Sequence, residues 1–252
     1  MLRVNDLKKT FGGIKAVDGC NFEVEAETVT GLIGPNGAGK TTVFNLISGF
    51  YPPDGGEIWF KDTRIDDMPP YRIPRLRLAR TFQITRELRK MTVIDNLMVA
   101  PIDQMGEKLW NSWFRIPSVK HEERKIRDKA LDVLNFLEIS DLKDEYAGNL
   151  SGGQKKLLEF GRTMMTDPEL ILLDEPGAGV NPTLMKKLNG YIESLRTDEG
   201  MTFFLIEHDM DLVMELCNPI IVMSEGKKLA EGSASEIKQN QKVLEAYLGG
   251  GG

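Results

Sequence analysis

The sequence predicts an α/β fold with a parallel-sheet core and a helical segment inserted in its middle. A glycine-rich loop at 34–41 lies between an apolar strand and a helix. The run LILL at 170–173 is continuously apolar, as expected of a strand that is buried on both faces. Between about residues 90 and 165, the apolar residues follow helical spacing instead.

The elements of the core follow from apolar periodicity and turn residues. In the first third of the chain they are a strand over 2–10, two strands within 20–33 of which the second is Val29–Ile33, a helix over 41–50, and a strand at 57–60 after the turn cluster 52–56. In the last third they are strands over 170–173 and 201–206, a helix over 182–197 between them, a hairpin over 219–231 that turns at Glu225 and Gly226, and a final helix over 233–248.

The inserted segment is expected to contain two main helices. Ser118 is a candidate N-cap for the first, which would run to about Ile139. The second helix follows Ser151 and ends near Asp167. The predicted buried stripe of the first helix comprises Ile126, Ala130, Val133, Leu134 and Leu137.

Composition excludes several classes of protein. The 252 residues include 32 Lys and Arg against 38 Asp and Glu, a net charge of −6, which argues against broad nucleic-acid binding. Two cysteines, Cys20 and Cys217, cannot build a disulfide framework and favour a reducing, cytosolic compartment. No window approaches the roughly 20 apolar residues of a membrane span, and the N-terminus lacks a signal-peptide pattern. We therefore expect a chain that is soluble by itself and free to attach to a membrane protein.

The loop that starts at Gly34 fits the phosphate-binding pattern GxxxxGK[ST]. Glycines let the backbone approach phosphate oxygens, and the helix that follows directs N–H groups at the anion. Lys40 would add a charge at the β- and γ-phosphates, and the Thr41 hydroxyl would ligate Mg²⁺. The strand before this loop and the helix after it favour a nucleotide site over a chance turn. The candidate binding residues are Gly34, Pro35, Asn36, Gly37, Ala38, Gly39, Lys40, Thr41 and Thr42.

Two acidic residues, Asp174 and Glu175, follow the strand at 170–173. Ligands of open parallel sheets bind at the carboxyl ends of the strands. Asp174 suits Mg²⁺, directly or through water, and Glu175 is placed to orient or deprotonate an attacking water. The alternative is a pair of exposed carboxylates that cap the next turn. The phosphate loop upstream favours the functional interpretation.

A second phosphate-binding helix start is predicted at LSGGQ, residues 150–154. Ser151 offers a hydroxyl, Gly152 and Gly153 offer accessible N–H groups, and Gln154 completes the motif at the positive end of a helix dipole. With this motif the chain resembles the ABC ATPases, whose signature is LSGGQ. The resemblance covers essentially the whole chain, and the motifs occur in the family's order.

This resemblance implies roles for individual residues. Phe11 matches the aromatic residue that stacks on adenine; a core residue at a strand end is the alternative. Gln83, in the context ARTFQ, matches the Q-loop glutamine, which has catalytic and metal-binding roles; a surface glutamine is the alternative. Glu175 matches the catalytic glutamate, and His208 matches the switch histidine that contacts the γ-phosphate. Residues 151–154 match the signature that binds the nucleotide of a second chain.

The implied fold is a P-loop NTPase, with a RecA-like, mostly parallel sheet, an N-terminal antiparallel β subdomain and an inserted α-helical subdomain. All 252 residues would form one ABC ATPase domain. Within it, the α/β core with its β subdomain would take about 1–89 and 166–232, the helical subdomain about 90–165, and a C-terminal helix with a glycine tail 233–252.

The resemblance also implies ligands and partners. The ligands are ATP and Mg²⁺, and two chains sandwich two ATP molecules. The partners are transmembrane permease subunits, a second ABC ATPase subunit that is identical or related, and, indirectly, a substrate-binding protein. Such a chain lies peripherally on the cytoplasmic side of the inner membrane.

Further stretches are similar to the LivG-type ATPases of branched-chain amino acid importers. These stretches are 79–100, the insertion 109–118, 172–182 and 207–217. The aromatic residues of the insertion, Trp110, Trp113 and Phe114, would either contact the permease or form a small satellite core. The alternative functions are the ATPase of lipopolysaccharide export or urea import, and a soluble ABC ATPase of an assembly scaffold.

Two polar residues need separate interpretations. Asn181 stands in the D-loop, 178–181, where the family usually carries Asp, so a charge is missing there. Because Glu175 is present, we still expect hydrolysis. His121 lies in the charged run KHEERK and is interpreted as part of a solvated helical face.

Overall fold

The computed structural model describes residues 1–81, 87–104 and 116–248. The chain divides into two compact units. Unit 1 comprises Met1–Arg80, Glu169–Ala178 and Asn189–Gly252, and unit 2 comprises Thr81–Pro168 and Gly179–Leu188. That all 252 residues form one domain, with the subdomain limits given above, stays a prediction.

Unit 1 holds two sheets. The strands are β1 (Leu2–Phe11), β2 (Ile14–Val24), β3 (Val29–Ile33), β4 (Gly55–Phe60), β5 (Thr63–Arg64), β6 (Leu78–Arg80), β7 (Leu170–Asp174), β8 (Thr202–Ile206), β9 (Ile220–Ser224) and β10 (Lys227–Gly232). Within the described residues, one sheet has the order β2-β1-β4-β5 and the other has the order β10-β9-β3-β8-β7-β6. The first sheet is antiparallel, and the second is parallel except for the β9–β10 hairpin. These pairings confirm the predicted fold class.

The helices are α1 (Lys40–Ile47), α2 (Val93–Met98), α3 (Ile116–Phe136), α4 (Gly152–Met164), α5 (Pro182–Glu199), α6 (Met210–Leu216), α7 (Ala234–Gln239) and α8 (Gln241–Leu248). The structure places α2, α3 and α4 in unit 2. In the part of the chain that the structure describes, no helix combines the length and apolar character that a bilayer crossing requires.

The core of unit 1 forms because β3, β7 and β8 are buried at every position, as the apolar run at 170–173 predicted. The α1 residue Phe44 packs on Phe204 of β8, with their ring centroids 5.0 Å apart. In unit 2, four of the five residues of the predicted α3 stripe are buried, and Ile126 is partly exposed. Cys20 and Cys217 are buried and unpaired.

Four helix limits predicted from the sequence are wrong. Helix α1 ends at Ile47 instead of residue 50. Helix α3 begins at Ile116, so Ser118 lies in its first turn instead of capping it; proline is tolerated there at position 117. The same helix ends at Phe136, before Ile139. The single final helix is interrupted at Asn240, whose backbone is extended and whose Oδ1 accepts N–H groups of the next helix.

Candidate functional site

The phosphate loop connects the end of β3 to the start of α1, as predicted. Gly39 stands at the N-cap of α1 with φ of 100°, and no side chain caps this helix. A Cβ at Gly39 would lie 2.2 Å from the Ala16 carbonyl oxygen, so the loop can approach β2 only with glycine here. The uncapped first turn leaves backbone N–H groups to meet an anion.

A cavity of ≈ 550 Å³ opens beside this loop, and we call it the nucleotide cavity. It is lined by Ile14, Lys15, Ala16, Asn36, Gly37, Ala38, Gly39, Lys40, Thr41, Thr42, Glu175, His208 and Glu225. The loop, the glutamate after β7 and the histidine after β8 therefore share one space. This arrangement fits the expectation that ligands of a parallel sheet bind at the carboxyl ends of its strands.

Lys40 is buried, with 6% of its surface exposed. Its Nζ donates to the carbonyl oxygens of Gly34, at 2.7 Å, and Pro35, at 3.0 Å. Burial lowers the pKa of the Lys40 ammonium, and the negative charge of Glu175 opposes this decrease. A phosphate that enters the cavity would offer this desolvated ammonium charged acceptors in place of neutral ones.

Glu175 and His208 form a hydrogen-bonded pair, with 2.8 Å between Glu175 Oε1 and His208 Nε2. Glu175 adopts a left-handed backbone with φ of 50°, and its N–H donates to the Ile206 carbonyl of β8. The Glu175 side chain is 18% exposed and that of His208 is 48% exposed. A carboxylate that is partly shielded and oriented by an imidazole is suited to hold or deprotonate a water molecule.

Asp174 lies at the end of β7, 5% exposed, so the alternative of two exposed carboxylates is wrong for this residue. Its Oδ2 pairs with Nη2 of Arg80 at 2.7 Å. Arg80 also donates to Asn45 Oδ1 and Ser48 Oγ of the α1 region. This buried ion pair connects the edge strand β6 to β7 and to the helix behind the phosphate loop.

Of the other residues predicted for this site from the resemblance, the structure describes Phe11. Phe11 is 41% exposed, so the alternative of a core residue is wrong. It pairs with Ile14 across the β1–β2 hairpin, and Ile14 lines the nucleotide cavity whereas Phe11 does not. Gln83 and the aromatic residues of the insertion 109–118 lie outside the described residues.

The signature motif lies in unit 2 at the N-terminus of α4. Ser151 and Gln154 form a reciprocal capping box, in which Gln154 N–H donates to Ser151 Oγ and Ser151 N–H donates to Gln154 Oε1. A cavity of ≈ 450 Å³, which we call the signature cavity, is lined by residues of the signature and of the start of α5. A Cβ at Gly153 would lie 2.4 Å from Leu184 Cδ2.

Asn181 has a local structural role, because its Oδ1 accepts the N–H of Leu184 at 2.8 Å in the first turn of α5. Nearby, Glu138 forms an ion pair with Lys187. Both charged side chains line the signature cavity. The D-loop asparagine thus preserves a cap that an aspartate would also make.

Several residues at these sites were not predicted from the sequence. Ile14, Ala16 and Glu225 line the nucleotide cavity. For Ile14 and Ala16 the available sequence signal is the pair Gly12-Gly13, which is typical of the turn of a hairpin and indicates that β2 folds back on β1. Arg80 was missed because its partner Asp174 is 94 residues away in the chain. Local patterns carry no signal for such a contact.

Comparisons with known proteins agree with this geometry. A family model described as "ABC transporter" matches residues 17–178, and one described as "Branched-chain amino acid ATP-binding cassette transporter" matches residues 227–252. The probable branched-chain amino acid transport ATP-binding protein LivG of Archaeoglobus fulgidus is 43% identical, with 99% of this chain and 95% of that protein covered. The high-affinity branched-chain amino acid transport ATP-binding protein LivG of Escherichia coli (strain K12) is 42% identical, with 99% and 98% covered.

Solved structures show the same likeness. A nucleotide-free ATP-binding cassette from an ABC transporter has a TM-score of 0.84 at 39% identity and covers 98% of both chains. An ATP-binding cassette of an ABC transporter in its ADP conformation has a TM-score of 0.83 at 38% identity, with 99% of this chain and 98% of that chain covered.

Proposed function

Because the chain belongs to the ABC transporter family and is one of its ATPases, we propose that it is the motor subunit of an importer of branched-chain amino acids. The observation that carries the ATPase assignment is the single cavity shared by Lys40, Glu175 and His208. The importer assignment is supported by the names of the full-length relatives and by the match of the C-terminal residues 227–252.

ATP would bind with its phosphates against the loop of residues 34–42. Backbone N–H groups at the start of α1 would face the phosphate oxygens, and the Lys40 ammonium would move from the Gly34 and Pro35 carbonyls to the β- and γ-phosphates. Phe11, exposed at the end of β1, would stack on the adenine.

The site also suits Mg²⁺. Among the described residues no group of three or more His, Cys, Asp or Glu is placed to hold a metal ion. The Thr41 hydroxyl and the Asp174 carboxylate are hard oxygen donors, and nucleotide-bound Mg²⁺ usually takes one or two protein carboxylates besides phosphate oxygens and waters. Gln83 would add a third oxygen. When bound, the ion neutralises charge that develops on the phosphate oxygens.

Hydrolysis would use Glu175 and His208. Glu175 would orient the attacking water and accept its proton, since the carboxylate lies in the cavity that holds the phosphate loop. His208 would hold Glu175 Oε1 through the 2.8 Å hydrogen bond and reach the γ-phosphate. Gln83 is the third residue that we assign to this step.

Each complete site would need two chains. Ser151, Gly152, Gly153 and Gln154 present a capped helix N-terminus that would close over the ATP held by a second, identical or related subunit. Two chains would thus enclose two ATP molecules, and hydrolysis would remove the charge that holds them together. This cycle would drive the transmembrane permease subunits, which receive substrate from a binding protein, with the chain held peripherally at the cytoplasmic face of the inner membrane.

A pull-down tests this function. Tagged Glu175→Gln protein with ATP is added to solubilised membranes, and bound proteins are identified by mass spectrometry. Lys40→Ala, Glu175→Gln is the matched control, because it should not hold ATP. Recovery of multi-spanning permease subunits by the first variant and not by the second supports the proposal. Recovery of soluble scaffold proteins alone contradicts the transport assignment and leaves the ATPase assignment intact.

A further inference from the structure

Glu207 is a buried carboxylate with no role in the proposed hydrolysis. It follows the last residue of β8 and is 5% exposed. Its Oε1 accepts the backbone N–H of Gly177 at 2.6 Å, and its Oε2 accepts the N–H of His208 at 3.0 Å. A buried carboxylate is costly unless its oxygens are satisfied, and backbone N–H groups satisfy both here.

The two N–H groups belong to the two loops that carry the catalytic pair. Gly177 stands two residues after Glu175, in the loop that follows β7, and His208 is the partner of Glu175. Two other hydrogen bonds hold the same segments together. Glu175 N–H donates to the carbonyl of Ile206, the last residue of β8, and Glu175 Oε1 is hydrogen-bonded to His208 Nε2. Glu207 therefore bridges the backbones on either side of the contact that matters for the reaction.

We propose that Glu207 is a positioning residue that holds Glu175 and His208 at hydrogen-bonding distance. This inference rests on the proposed roles of those two residues. A glutamate suits the task because both oxygens of an ionised carboxylate accept, and charge-assisted hydrogen bonds are the stronger ones. Glutamine in its place would present an NH₂ group to one of the two N–H donors, and one half of the bridge would be lost.

Kinetics and ATP binding of Glu207→Gln in the full chain provide the first test. We expect kcat to fall about 10-fold or more, since misplaced catalytic groups lose rate steeply, while KM and the affinity for ATP change less than about 2-fold. Asp211→Asn, an exposed residue on α6, is the matched control and should keep wild-type kcat. A residue that only supported folding would reduce the number of ATP-binding sites per chain and leave kcat per site unchanged.

Histidine NMR provides a readout that activity cannot. The chain has two histidines, and the exposed His121 serves as an internal reference for His208. Glu207→Gln should shift the imidazole signals of His208 and leave those of His121 in place. Hydrogen exchange at the Gly177 amide should accelerate about 10-fold or more, because its acceptor is weakened. If Glu207→Gln does not fold, Glu207→Asp, which keeps the charge and shortens the reach, is measured in the same way.

The outcomes separate the two proposals. Wild-type kcat per site or unshifted His208 signals, in whichever of the two variants folds, would overturn the role of Glu207. If Glu175→Gln retained wild-type hydrolysis, the proposed roles of the catalytic pair would fail first. A reduced kcat with shifted His208 signals and unchanged ATP affinity supports the bridge.

Discussion

The nucleotide cavity of unit 1 and the signature cavity of unit 2 both lie at the N-terminus of a helix, yet they hold their charged groups differently. In the nucleotide cavity, Lys40 is buried on two neutral carbonyl oxygens. In the signature cavity, the charged pair is Glu138 and Lys187, whose side chains are 60% and 48% exposed. The helix start is uncapped by side chains in the first cavity and closed by a capping box in the second.

These differences indicate that the two cavities have different functions. A desolvated ammonium beside uncapped N–H groups gains much from a bound phosphate, whereas an exposed ion pair is screened by water and contributes little. Glu175 and His208, the proposed catalytic pair, line only the first of these two cavities. The signature cavity is therefore suited to complete a site whose chemistry another chain supplies.

The largest expected effect is a decrease in the free energy of unfolding caused by Arg80→Met. Asp174 would remain buried without its counter-ion, and breaking such a pair costs about 3–5 kcal/mol. Urea unfolding followed by circular dichroism measures this loss. Arg77→Met is the matched control, because Arg77 is 53% exposed and its pair with Glu169 is expected to contribute less than about 1 kcal/mol. Equal losses for the two variants would refute the buried network in unit 1.

Lys40→Ala should weaken ATP binding by more than about 100-fold, or roughly 3 kcal/mol, because charge-assisted hydrogen bonds to phosphate are lost. Titration calorimetry with ATP measures the affinity. Lys15→Ala is the control, since Lys15 lines the same cavity but is 66% exposed, and it should change the affinity less than about 3-fold. Near-normal affinity in Lys40→Ala would contradict the assignment of this cavity.

Alanine substitutions at two glycines should differ in cost. At Gly39 the new Cβ meets a backbone carbonyl in a left-handed conformation, and we expect unfolding to lose about 2–3 kcal/mol. At Gly153 the new Cβ meets a terminal methyl group of Leu184, which can rotate away, so the loss should stay below about 1 kcal/mol. Similar losses at the two positions, measured by urea unfolding, would mean that the loop of unit 1 is no more constrained than the signature.

The smallest expected effect concerns the Glu138–Lys187 pair. A double-mutant cycle with Glu138→Ala and Lys187→Ala should give a coupling of about 0.2–1 kcal/mol, because both side chains are exposed to water. The same unfolding assay measures it. A coupling above about 2 kcal/mol would show that the signature cavity also holds a strong ion pair, and the contrast between the two cavities would disappear.

Local features of the sequence were sufficient to predict the phosphate loop, the N-cap Ser151 and the buried strand at β7. Each depends on residues within a few positions of one another. Ser118 and the final helix were mispredicted because a second local feature was overlooked in each case. Proline is tolerated in the first turn of a helix, so Pro117 does not exclude Ser118 from α3, and Asn240 caps a new helix. Arg80 contacts Asp174, which is 94 residues away in the chain, and Glu207 contacts Gly177, which is 30 residues away. Only the folded sheet brings these partners together.

Sedimentation velocity of Glu175→Gln with and without ATP tests whether each signature completes the nucleotide site of another chain. We expect a monomer without nucleotide and a dimer with ATP and Mg²⁺, because the bound phosphates join the two surfaces and are not hydrolysed by this variant. The Lys40→Ala, Glu175→Gln control should remain monomeric under both conditions. A monomer at saturating ATP, with ATP binding demonstrated in the same sample, would contradict the two-chain site.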